Sequence, residues 1–438
     1  MGIFLFSFLS LAAIFAFMFY HGERNDFSSD SSEKSYPTDK ASEEISSAQA
    51  ITDNDTYTSK DDDENKVNNE EIFISKNMDD MQDEMNNSRL KIGLDTAAIS
   101  ALRSENSSLY YYSRLSGSEQ VLYAELLYIL KGVESNIYIS ASDTAMLDKI
   151  QNCVLNDHPE IFYVSGYYTT KYFVGEKTLG YSFSGQYIYD KSEIERRNIL
   201  IEKYISRCLS ALPETNDDYP KIKYIYDYVI SNTSYDLNSA DNQNICSVMI
   251  NGVSVCQGYA KSVQLLLNRC GIEATLVTGN VDNEVTAGPH ARNLVKSNGS
   301  WYYMDATWGD ASFRGTNTIN EGIVYDYLLT TTTDIAYTHS MDSAVPMVTC
   351  DHMDDNYYVR EGAYFSGIDL NKFKNLVDTR KRQSSDFVTF KCSSNEVYEG
   401  MLTELIDNSK IFDYISKLPG EKVSFSRSDK QRSVTIWF

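Results

Sequence analysis

The chain has 438 residues, with 62 acidic and 39 basic side chains and a formal net charge of -23 at pH 7. This length allows two domains and a spacer, because single domains cluster at ~100–200 residues. The negative charge argues against nucleic acid as a partner, since phosphates would be repelled over most of the surface. The 33 tyrosines and the 13% aromatic content favour substantial β structure.

The cysteines show no pattern typical of a metal site. There are seven, without a CxxC pair and without metal-type spacing to the five histidines, so structural zinc is not expected. Because the count is odd, at least one thiol stays unpaired even in an oxidising compartment. We expect most of the cysteines to be small buried apolar residues, which leaves a chemical role for one of them.

An almost unbroken apolar run occupies residues 3–20, about the length needed to cross a ~30 Å hydrocarbon layer as a helix. A cleaved signal peptide would have a basic start, a shorter apolar stretch and small residues before the cleavage point. Here no Lys or Arg precedes the run, and its end is bulky. We therefore predict an uncleaved membrane anchor at residues 1–20, with secretion after signal cleavage as the alternative.

The next stretch, residues 21–87, is polar and acidic. It has too few apolar side chains to offset the entropy of ordering itself, so it predicts a disordered stalk. Its DDDEN tract lacks the Gly and the final Glu of a calcium loop, which favours a solvated spacer over a calcium site.

Folded sequence is expected to begin near Arg89. Ser116 and Glu119 form a capping-box pattern before VLYAELLYIL, whose apolar residues recur at helical spacing. A second helix is predicted after Ser142, ending before Pro159 because the residue that precedes proline disfavours helix. Two strands and then two helices are predicted over residues 167–173, 178–189, 193–212 and 219–231.

The segment NGVSVCQGYAKSVQLLLNRCGIEATLVTG predicts a helix followed by a strand. Its apolar residues from Ala260 to Leu267 share one helical face, and Gly271 is a plausible C-terminal stop. Cys256 is therefore expected at a helix N-terminus, where the macrodipole and unpaired N–H groups favour a thiolate. The same amides can hold the oxyanion that forms when an acyl carbon is attacked. Taken alone, however, a Cys at a helix start is more often structural than catalytic.

The segment GPHARNLVKSNGSWYYMDATWGD predicts a β-hairpin, because an Asn-Gly pair at 298–299 stands between two apolar-rich runs. This turn makes His290 and Asp305 diagonal neighbours on one sheet face, ~7–8 Å apart between backbones. Asp305 could then orient the imidazole while the other ring nitrogen meets Cys256. The alternative is that Asp305 pairs with Arg292, which faces it directly across the hairpin.

These two segments resemble the core of the transglutaminase-like superfamily, whose pattern runs approximately V-C-x-G-Y-A, then H-A-W-N, then W-y-x-x-D-x-T-W. The matching stretches of this chain are residues 255–260, 290–293 and 301–308. The resemblance is closest over 224–308, with weaker similarity on both sides to bacterial exported members. It implies a papain-like α+β fold with a Cys-His-Asp triad. The implied triad falls on Cys256, His290 and Asp305.

Two departures from the family pattern affect the predicted site. Arg292 stands where the family has Trp, which changes a neighbour of the triad and bears on substrate preference. Related sequences often have Tyr or another side-chain donor to the oxyanion upstream, where this chain reads QNICSVMING, so Gln243 or Asn244 is the expected substitute. Residues 257–259 are expected to shape the turn behind the nucleophile, and Trp308 to be a packed wall.

The predicted fold class is α+β, with a papain-like, transglutaminase-like cysteine-nucleophile core, a preceding α/β region, a disordered stalk and an N-terminal transmembrane segment. The C-terminal part is expected to be an α+β extension that either recognises a partner or completes the main sheet. The expected divisions are 1–20 for the anchor, 21–87 for the stalk, 88–212 for the α/β region, 213–345 for the catalytic core and 346–438 for the extension.

Two functions are compatible with these patterns. In the first, Cys256 attacks a carboxamide or peptide carbonyl, His290 moves the proton, and an amine or water resolves the thioester, giving crosslinking or hydrolysis. In the second, the chain is a surface binding or scaffold module that has this fold without turnover. The expected setting is the outer face of a cell membrane, with a protein or peptide substrate such as cell-wall peptide. No cofactor, metal or nucleic acid is expected.

Overall fold

The computed structural model describes seven stretches of the chain. Among these residues, no helix combines the length and apolar character that crossing a bilayer requires. The predicted anchor, residues 1–20, lies outside the described residues, as does most of the predicted stalk. The described stretches are 25–28, 69–73, 78–174, 176–282, 287–310, 322–415 and 422–437.

The N-terminal part combines four helices with a four-stranded sheet. The strands are β1 (Asn25–Ser28), β2 (Asn69–Phe73), β3 (Ile137–Ile139), β4 (Val164–Val174) and β5 (Lys177–Tyr187). The helices are α1 (Met78–Lys91), α2 (Thr96–Glu105), α3 (Gly117–Gly132) and α4 (Thr144–Asp157). The sheet has the order β2-β4-β5-β3, whereas β1 pairs with a C-terminal strand. The predicted mixture of helix and strand in this region is therefore confirmed.

Three parts of the stretch expected to be a stalk form strand or helix. Strands β1 and β2 both pair with other strands, and α1 begins at Met78, before the predicted start near Arg89. Met85 of α1 packs with Leu179 against the paired rings of Tyr138 and Tyr172. These apolar contacts with distant strands stabilise a helix whose own composition could not, which is why the local sequence did not predict it.

The predicted helix ends of the N-terminal part agree with the structure, with one exception. Ser116 and Glu119 form the capping box of α3, with the Ser116 N–H donating to the Glu119 carboxylate over 2.7 Å. Helix α4 ends before Pro159, as predicted. Its N-cap is Asp143, one residue after the predicted Ser142, because the Asp143 carboxylate accepts from the Met146 N–H over 2.8 Å.

The central part contains the elements that carry the predicted site. Its helices are α5 (Lys191–Leu209), α6 (Asp218–Ser231), α7 (Cys256–Arg269), α8 (Ala306–Gly309) and α9 (Thr332–Ile335). Its strands are β6 (Ser234–Tyr235), β7 (Val253–Ser254), β8 (Ala274–Asp282), β9 (Ala287–Ser297) and β10 (Ser300–Met304). Strands β10, β9 and β8 form an antiparallel sheet in that order, which is the main sheet of the central part. The short β6 and β7 pair in parallel. Helix α7 packs against β8 and β9.

The predicted hairpin register is confirmed. Ser297 pairs with Ser300 and Asn293 with Met304, so the two strands are joined by a two-residue turn. Asn298 and Gly299 have φ values of 47° and 90°. A two-residue turn of this twist requires positive φ at both positions, and Asn-Gly adopts it with little strain.

The C-terminal part forms a further, separate sheet, which strand β1 joins. Its helices are α10 (Tyr357–Arg360), α11 (Leu370–Arg382) and α12 (Asn395–Leu402). Its strands are β11 (Tyr364–Phe365), β12 (Phe387–Cys392), β13 (Lys422–Ser428) and β14 (Ser433–Trp437). The sheet order is β1-β13-β14-β12-β11. The apolar C-terminal segment is therefore the core of this sheet, and the alternative in which it completes the main sheet does not hold.

Buried polar contacts join the C-terminal sheet to the segment that follows α8. The Asp334 carboxylate of α9 accepts from Arg432 over 2.8 Å, and its backbone carbonyl accepts from Gln431 over 3.1 Å. The Asp326 carboxylate accepts from Tyr358 and from Ser433, over 2.7 and 2.9 Å. The C-terminal sheet thus holds both ends of the segment 326–334.

All seven cysteines lie within the described residues, and none of them forms a disulfide. Cys270 is half-buried and the other six are buried. Burial raises the pKa of the Cys153 thiol to about 12 and that of Cys208 to about 12. These two thiols are inert apolar residues, in line with the role expected for most of the cysteines.

Candidate active site

Cys256 is the first residue of α7, as the sequence predicts. It follows the extended Val255, and its neighbours in the core are Leu276 of β8 and Ala291 of β9. The side chain is buried, with 5% of the residue exposed. The thiol therefore lies between the helix N-terminus and the face of the sheet, where few water molecules reach it.

Gly258 allows this tight placement of the first helical turn. A Cβ atom added to Gly258 would lie 2.0 Å from the hydroxyl of Ser254 and 2.6 Å from that of Ser247. Any larger residue would push the helix start away from the loop that precedes it. The expectation that residues 257–259 shape the turn is thus confirmed for Gly258.

His290 and Asp305 are in direct contact, as the hairpin register predicts. The His290 Nε2 atom lies 2.6 Å from Asp305 Oδ2, and both side chains are almost fully buried. The second carboxylate oxygen accepts from the Trp308 backbone N–H over 3.1 Å, so Asp305 is also the N-cap of α8. Both oxygens of the carboxylate are thereby held in fixed positions.

His290 also interacts with Cys256. Burial alone would lower the pKa of His290, but the charge of Asp305, the charge of Cys256 and hydrogen bonds to both raise it to about 9. Since Nε2 faces Asp305, the ring atom left for the thiol is Nδ1. The structure thus brings Cys256, His290 and Asp305 together in the order thiol, imidazole, carboxylate.

The pKa of Asp305 lies well below its usual range. Burial would raise it, but the positive charge of His290 and hydrogen bonds from His290 and His339 outweigh this effect. The carboxylate is therefore ionised at neutral pH, and it can balance a positive charge on the His290 ring.

Two further residues of the matched motifs fix the distance between α7 and the hairpin. The Asn293 side-chain amide donates to the Ala260 carbonyl of α7 over 2.9 Å. The Tyr259 hydroxyl donates to Asp310, just after α8, over 2.6 Å. The helix that carries the thiol is thus tied to the strand that carries the imidazole.

Arg292 does not pair with Asp305, which was the alternative for the carboxylate. Its Nη2 donates to the Ser340 carbonyl over 3.0 Å, and its guanidinium lies 5.5 Å from the centre of the Tyr303 ring. In place of the Trp of the family pattern, Arg292 therefore holds the chain next to His339.

His339 is the second histidine of the cluster, and no sequence pattern predicts its place there. Its Nε2 lies 3.1 Å from Asp305 Oδ2, the same oxygen that contacts His290. The ring packs 4.9 Å from Trp308 and 5.2 Å from His290, measured between ring centres. Nothing in the local sequence YTHSM indicates this role, because only the course of the segment after α8 brings His339 to the site.

Tyr235, on β6, is another residue of the site that no sequence pattern predicts. Burial raises the pKa of its hydroxyl well above the usual range, and the charges of Cys256 and Asp305 raise it further. Tyr235 pairs with Ser254, two residues before Cys256. By contrast, the Asn244 side-chain oxygen accepts from the Cys246 N–H over 2.9 Å and caps the turn there. For Gln243, the described residues provide no side-chain hydrogen bond. Their suggested role at the oxyanion stays a prediction.

The cluster contains atoms that could ligate a metal ion. Ligand atoms of His290, Asp305 and His339 lie within 4.8 Å of one another. However, two ligands of one tetrahedral ion stand ~3.3 Å apart, whereas His290 Nε2 lies 2.6 Å from the carboxylate oxygen. That shorter distance is typical of a charge-assisted hydrogen bond, so we assign the three side chains to a hydrogen-bonded cluster.

One family comparison covers the part of the chain that contains this site. The sequence profile of the transglutaminase-like superfamily matches residues 210–306, which include Cys256, His290 and Asp305. No curated protein matches the chain. A TGase of known structure has 18% identity over 36% of this chain and 48% of its own, with a TM-score of 0.24. A candidate cysteine protease from Cytophaga hutchinsonii has 18% identity over 29% of this chain and 51% of its own, with a TM-score of 0.22.

A third similar structure is menin, with 14% identity over 52% of this chain and 49% of its own and a TM-score of 0.22. The chain spans about half the length of each of these three structures. Members of the matching superfamily are typically cysteine enzymes, either transglutaminases or cysteine proteases. Residues 210–306, which carry the predicted triad, are thus similar to the transglutaminase-like superfamily.

Proposed function

We propose that this protein is a cysteine acyltransferase or peptidase in which Cys256 is the nucleophile, His290 the proton carrier and Asp305 the group that orients and balances His290. One observation carries the proposal: the thiol at the N-terminus of α7 is buried in the same site as an imidazole that is hydrogen-bonded to a carboxylate, and the charge of Cys256 raises the pKa of that imidazole. These are the parts that thiol-based acyl transfer requires.

In the first half of the reaction, the Cys256 sulfur attacks the carbonyl carbon of a carboxamide or peptide bond. His290 takes the thiol proton, and the neighbouring Asp305 carboxylate balances the positive charge of the ring. As the tetrahedral intermediate collapses, the C–N bond breaks and His290 gives this proton to the leaving amine or ammonia. A thioester on Cys256 remains.

In the second half, an amine or a water molecule attacks the thioester carbonyl and gives its proton to His290. The C–S bond breaks, and the sulfur leaves as the thiolate beside the protonated ring. An amine yields a new amide, which is crosslinking, whereas water yields a carboxylic acid, which is hydrolysis. The expected substrate is a protein or peptide, because the attacked bond is an amide.

Backbone N–H groups of the first turn of α7 are the proposed donors to the negatively charged oxygen of the intermediate. A helix leaves its first N–H groups without an intrahelical partner, and its dipole favours negative charge there. We propose the hydroxyl of Tyr235 as the side-chain donor, since this phenol interacts electrostatically with Cys256. The Gln243 and Asn244 side chains are the alternatives.

The thiol itself provides the first test. The full chain is treated with iodoacetamide at pH 5.5, and the mass of intact protein is followed with time. Wild type is expected to gain one adduct rapidly, Cys256→Ala to lose that rapid phase, and His290→Ala to slow it by about 100-fold or more. Equal slow rates in all three proteins would contradict the enzyme and leave the scaffold module as the better description.

A second experiment separates crosslinking from hydrolysis. The full chain is incubated with a glutamine-containing peptide and hydroxylamine. A hydroxamate on the glutamine side chain indicates amine transfer, and cleavage or deamidation of the peptide indicates attack by water. The matched control is Cys270→Ala, which removes a thiol at the opposite end of the same helix that has no part in the mechanism. The control is expected to keep full activity.

The location of the protein is a separate proposal that rests on sequence alone. We propose that residues 3–20 anchor the chain in a cell membrane with the catalytic part outside, because the run is apolar and lacks a cleavage pattern. Native protein is then expected to fractionate with membranes and to retain its first 20 residues by mass spectrometry. A native N-terminus beyond Tyr20 would contradict the anchor and favour secretion.

A further inference from the structure

Two histidines share one oxygen of Asp305. His290 Nε2 lies 2.6 Å and His339 Nε2 lies 3.1 Å from the same Oδ2 atom. The proposed mechanism uses His290, whose other nitrogen faces the thiol. It gives no role to His339, although this ring is completely buried in the centre of the site, with 0% of its side chain exposed.

The partners of the His339 ring define its protonation. An imidazole nitrogen that faced a carboxylate oxygen with its lone pair would be repelled, so Nε2 carries a hydrogen and donates to Asp305. Nδ1 lies 2.7 Å from the Thr338 hydroxyl, which can donate to it. Burial lowers the pKa of His339 to about 4; the Asp305 contact opposes this effect, and the positive charges of His290 and Arg292 add to it. The ring is therefore a neutral donor.

The backbone around His339 is held against the edge of the main sheet. Ser340 N donates to Asn280 O over 2.8 Å, and Asp342 N donates to Thr278 O over 3.0 Å, which extends the sheet beyond β8. Between these two contacts lies Gly279, where an added Cβ would stand 2.1 Å from the Ser340 carbonyl oxygen. Glycine at this position is what permits the close approach.

A second set of contacts holds the other side of His339. Helix α9 ends shortly before it, and Asp334 in α9 is bound by Arg432 and Gln431 of the C-terminal sheet. The Arg432 guanidinium also lies 5.1 Å from the centre of the Tyr337 ring. The His339 ring is therefore fixed from both directions along the chain, by the main sheet and by the C-terminal sheet.

We propose that His339 is a positioning residue, which donates its Nε2 hydrogen to Asp305 Oδ2 and holds the carboxylate against His290. The inference rests on the proposed function of the Cys256–His290–Asp305 group. It adds a fourth member that touches neither the thiol nor the substrate. His339 holds the Oδ2 atom of the carboxylate and the Trp308 N–H holds the Oδ1 atom, so the carboxylate is restricted to one orientation.

This role predicts a specific chemical effect of removing the donor. A carboxylate that loses a hydrogen-bond donor becomes easier to protonate. Once protonated, Asp305 no longer balances a positive charge on His290, and the reactive state of the thiol is lost. Loss of the His339 donor is therefore expected to move the acidic limit of Cys256 reactivity to higher pH.

The test compares two variants of the full chain. His339→Gln places an amide N–H near the position of Nε2, whereas His339→Phe fills the same space without a donor. The rate of Cys256 alkylation by iodoacetamide is measured from pH 4 to 9 by intact mass. In His339→Phe, the acidic limit is expected to rise by at least about one pH unit, and the rate at pH 5.5 to fall by about 10- to 100-fold. His339→Gln is expected to restore both.

The control is His352→Ala, because this histidine is exposed and lies outside the site, with 56% of its side chain accessible. Thermal unfolding of each variant reports whether it is folded. If folded His339→Phe keeps the wild-type pH profile, or if His339→Gln is as impaired as His339→Phe, the positioning role is wrong and His339 serves packing. If wild type itself shows no rapid alkylation that depends on His290, the proposed function fails instead.

Discussion

The β9–β10 hairpin and the segment 332–342 each bring one histidine to Asp305, but they do so in different ways. The hairpin brings His290 through its own register, because a two-residue turn sets which residues face each other. The segment brings His339 only because α9 is bound to the C-terminal sheet and the chain after it is bound to β8. One contact is local and the other depends on three separate parts of the molecule.

The two rings also differ in charge although they share an acceptor. His290 lies between a carboxylate and a thiol, which raise its pKa to about 9 against the effect of burial. Burial lowers the pKa of His339 to about 4, although the contact with Asp305 opposes this effect. The positive charges of His290 and Arg292 lower the pKa further. At neutral pH, the first ring is a cation that can give a proton and the second is a neutral donor. Two imidazole rings that contact the same carboxylate oxygen therefore differ in charge and in chemical role.

The largest expected effect is that of removing the charged ring. His290→Ala should lower turnover, in whichever of the two reactions proves active, by about 10²- to 10⁴-fold, the usual contribution of a positioned acid–base group. The matched control is His158→Ala, which removes another buried histidine from the N-terminal part. If the two variants lose activity equally, the difference between the histidines has no functional meaning.

Asp305→Asn should have the next largest effect, because it alters the acceptor that both segments share. The amide keeps the size of the side chain but cannot balance a cation on His290, so turnover should fall by about 100-fold or more. Asp326→Asn is the control, since Asp326 is a buried hydrogen-bonded carboxylate outside the site. Wild-type kinetics for Asp305→Asn in a folded protein would exclude it from the mechanism.

Gly279→Ala should mainly affect the His339 side of the comparison, although Gly279 also lies opposite His290 in the β8–β9 pair. The added methyl group meets backbone atoms of Ser340 and Met341, which must shift and take His339 with them. We expect a loss of about 1–3 kcal/mol in stability. The acidic limit of Cys256 alkylation should also rise, but by less than in His339→Phe. Gly117→Ala, where the added atom meets nothing within 4 Å, is the control. Unchanged alkylation kinetics in Gly279→Ala would show that the position of the segment does not matter.

The smallest expected effect is on the pH dependence of stability. A histidine whose pKa is lowered on folding contributes stability that is present above its unfolded pKa of ~6.5. That stability is lost as the pH falls towards the folded value of about 4. Between these pH values, wild type should lose stability with falling pH more steeply than His339→Gln, by up to about 1.4 kcal/mol per pH unit for one proton.

His290 should show the opposite trend. Its pKa is raised on folding, so its contribution is full below ~6.5 and is lost as the pH rises through about 9. Urea unfolding of wild type, His290→Ala and His339→Gln at several pH values measures both trends. Parallel curves for the three proteins would mean that the two rings do not differ in charge.

Local patterns were sufficient for the elements that carry the predicted triad. The start of α7 at Cys256 follows from a helical apolar face and a Gly stop, and both are properties of consecutive residues. The contact between His290 and Asp305 follows from the Asn-Gly turn at 298–299. Local patterns failed for α1, whose helix depends on the contact of Met85 with distant tyrosines.

By itself, the sequence determined that Cys256 starts a helix and that His290 meets Asp305, because a helix start and a hairpin register depend only on residues close in the chain. Only the tertiary structure decided that the helix start lies against the hairpin, and what surrounds these residues. It brought His339 to Asp305, turned Arg292 towards Ser340 and placed Tyr235 near the thiol. Each of these contacts joins segments far apart in sequence, so its formation depends on how the helices and sheets pack together. Neither helical nor strand periodicity carries that information.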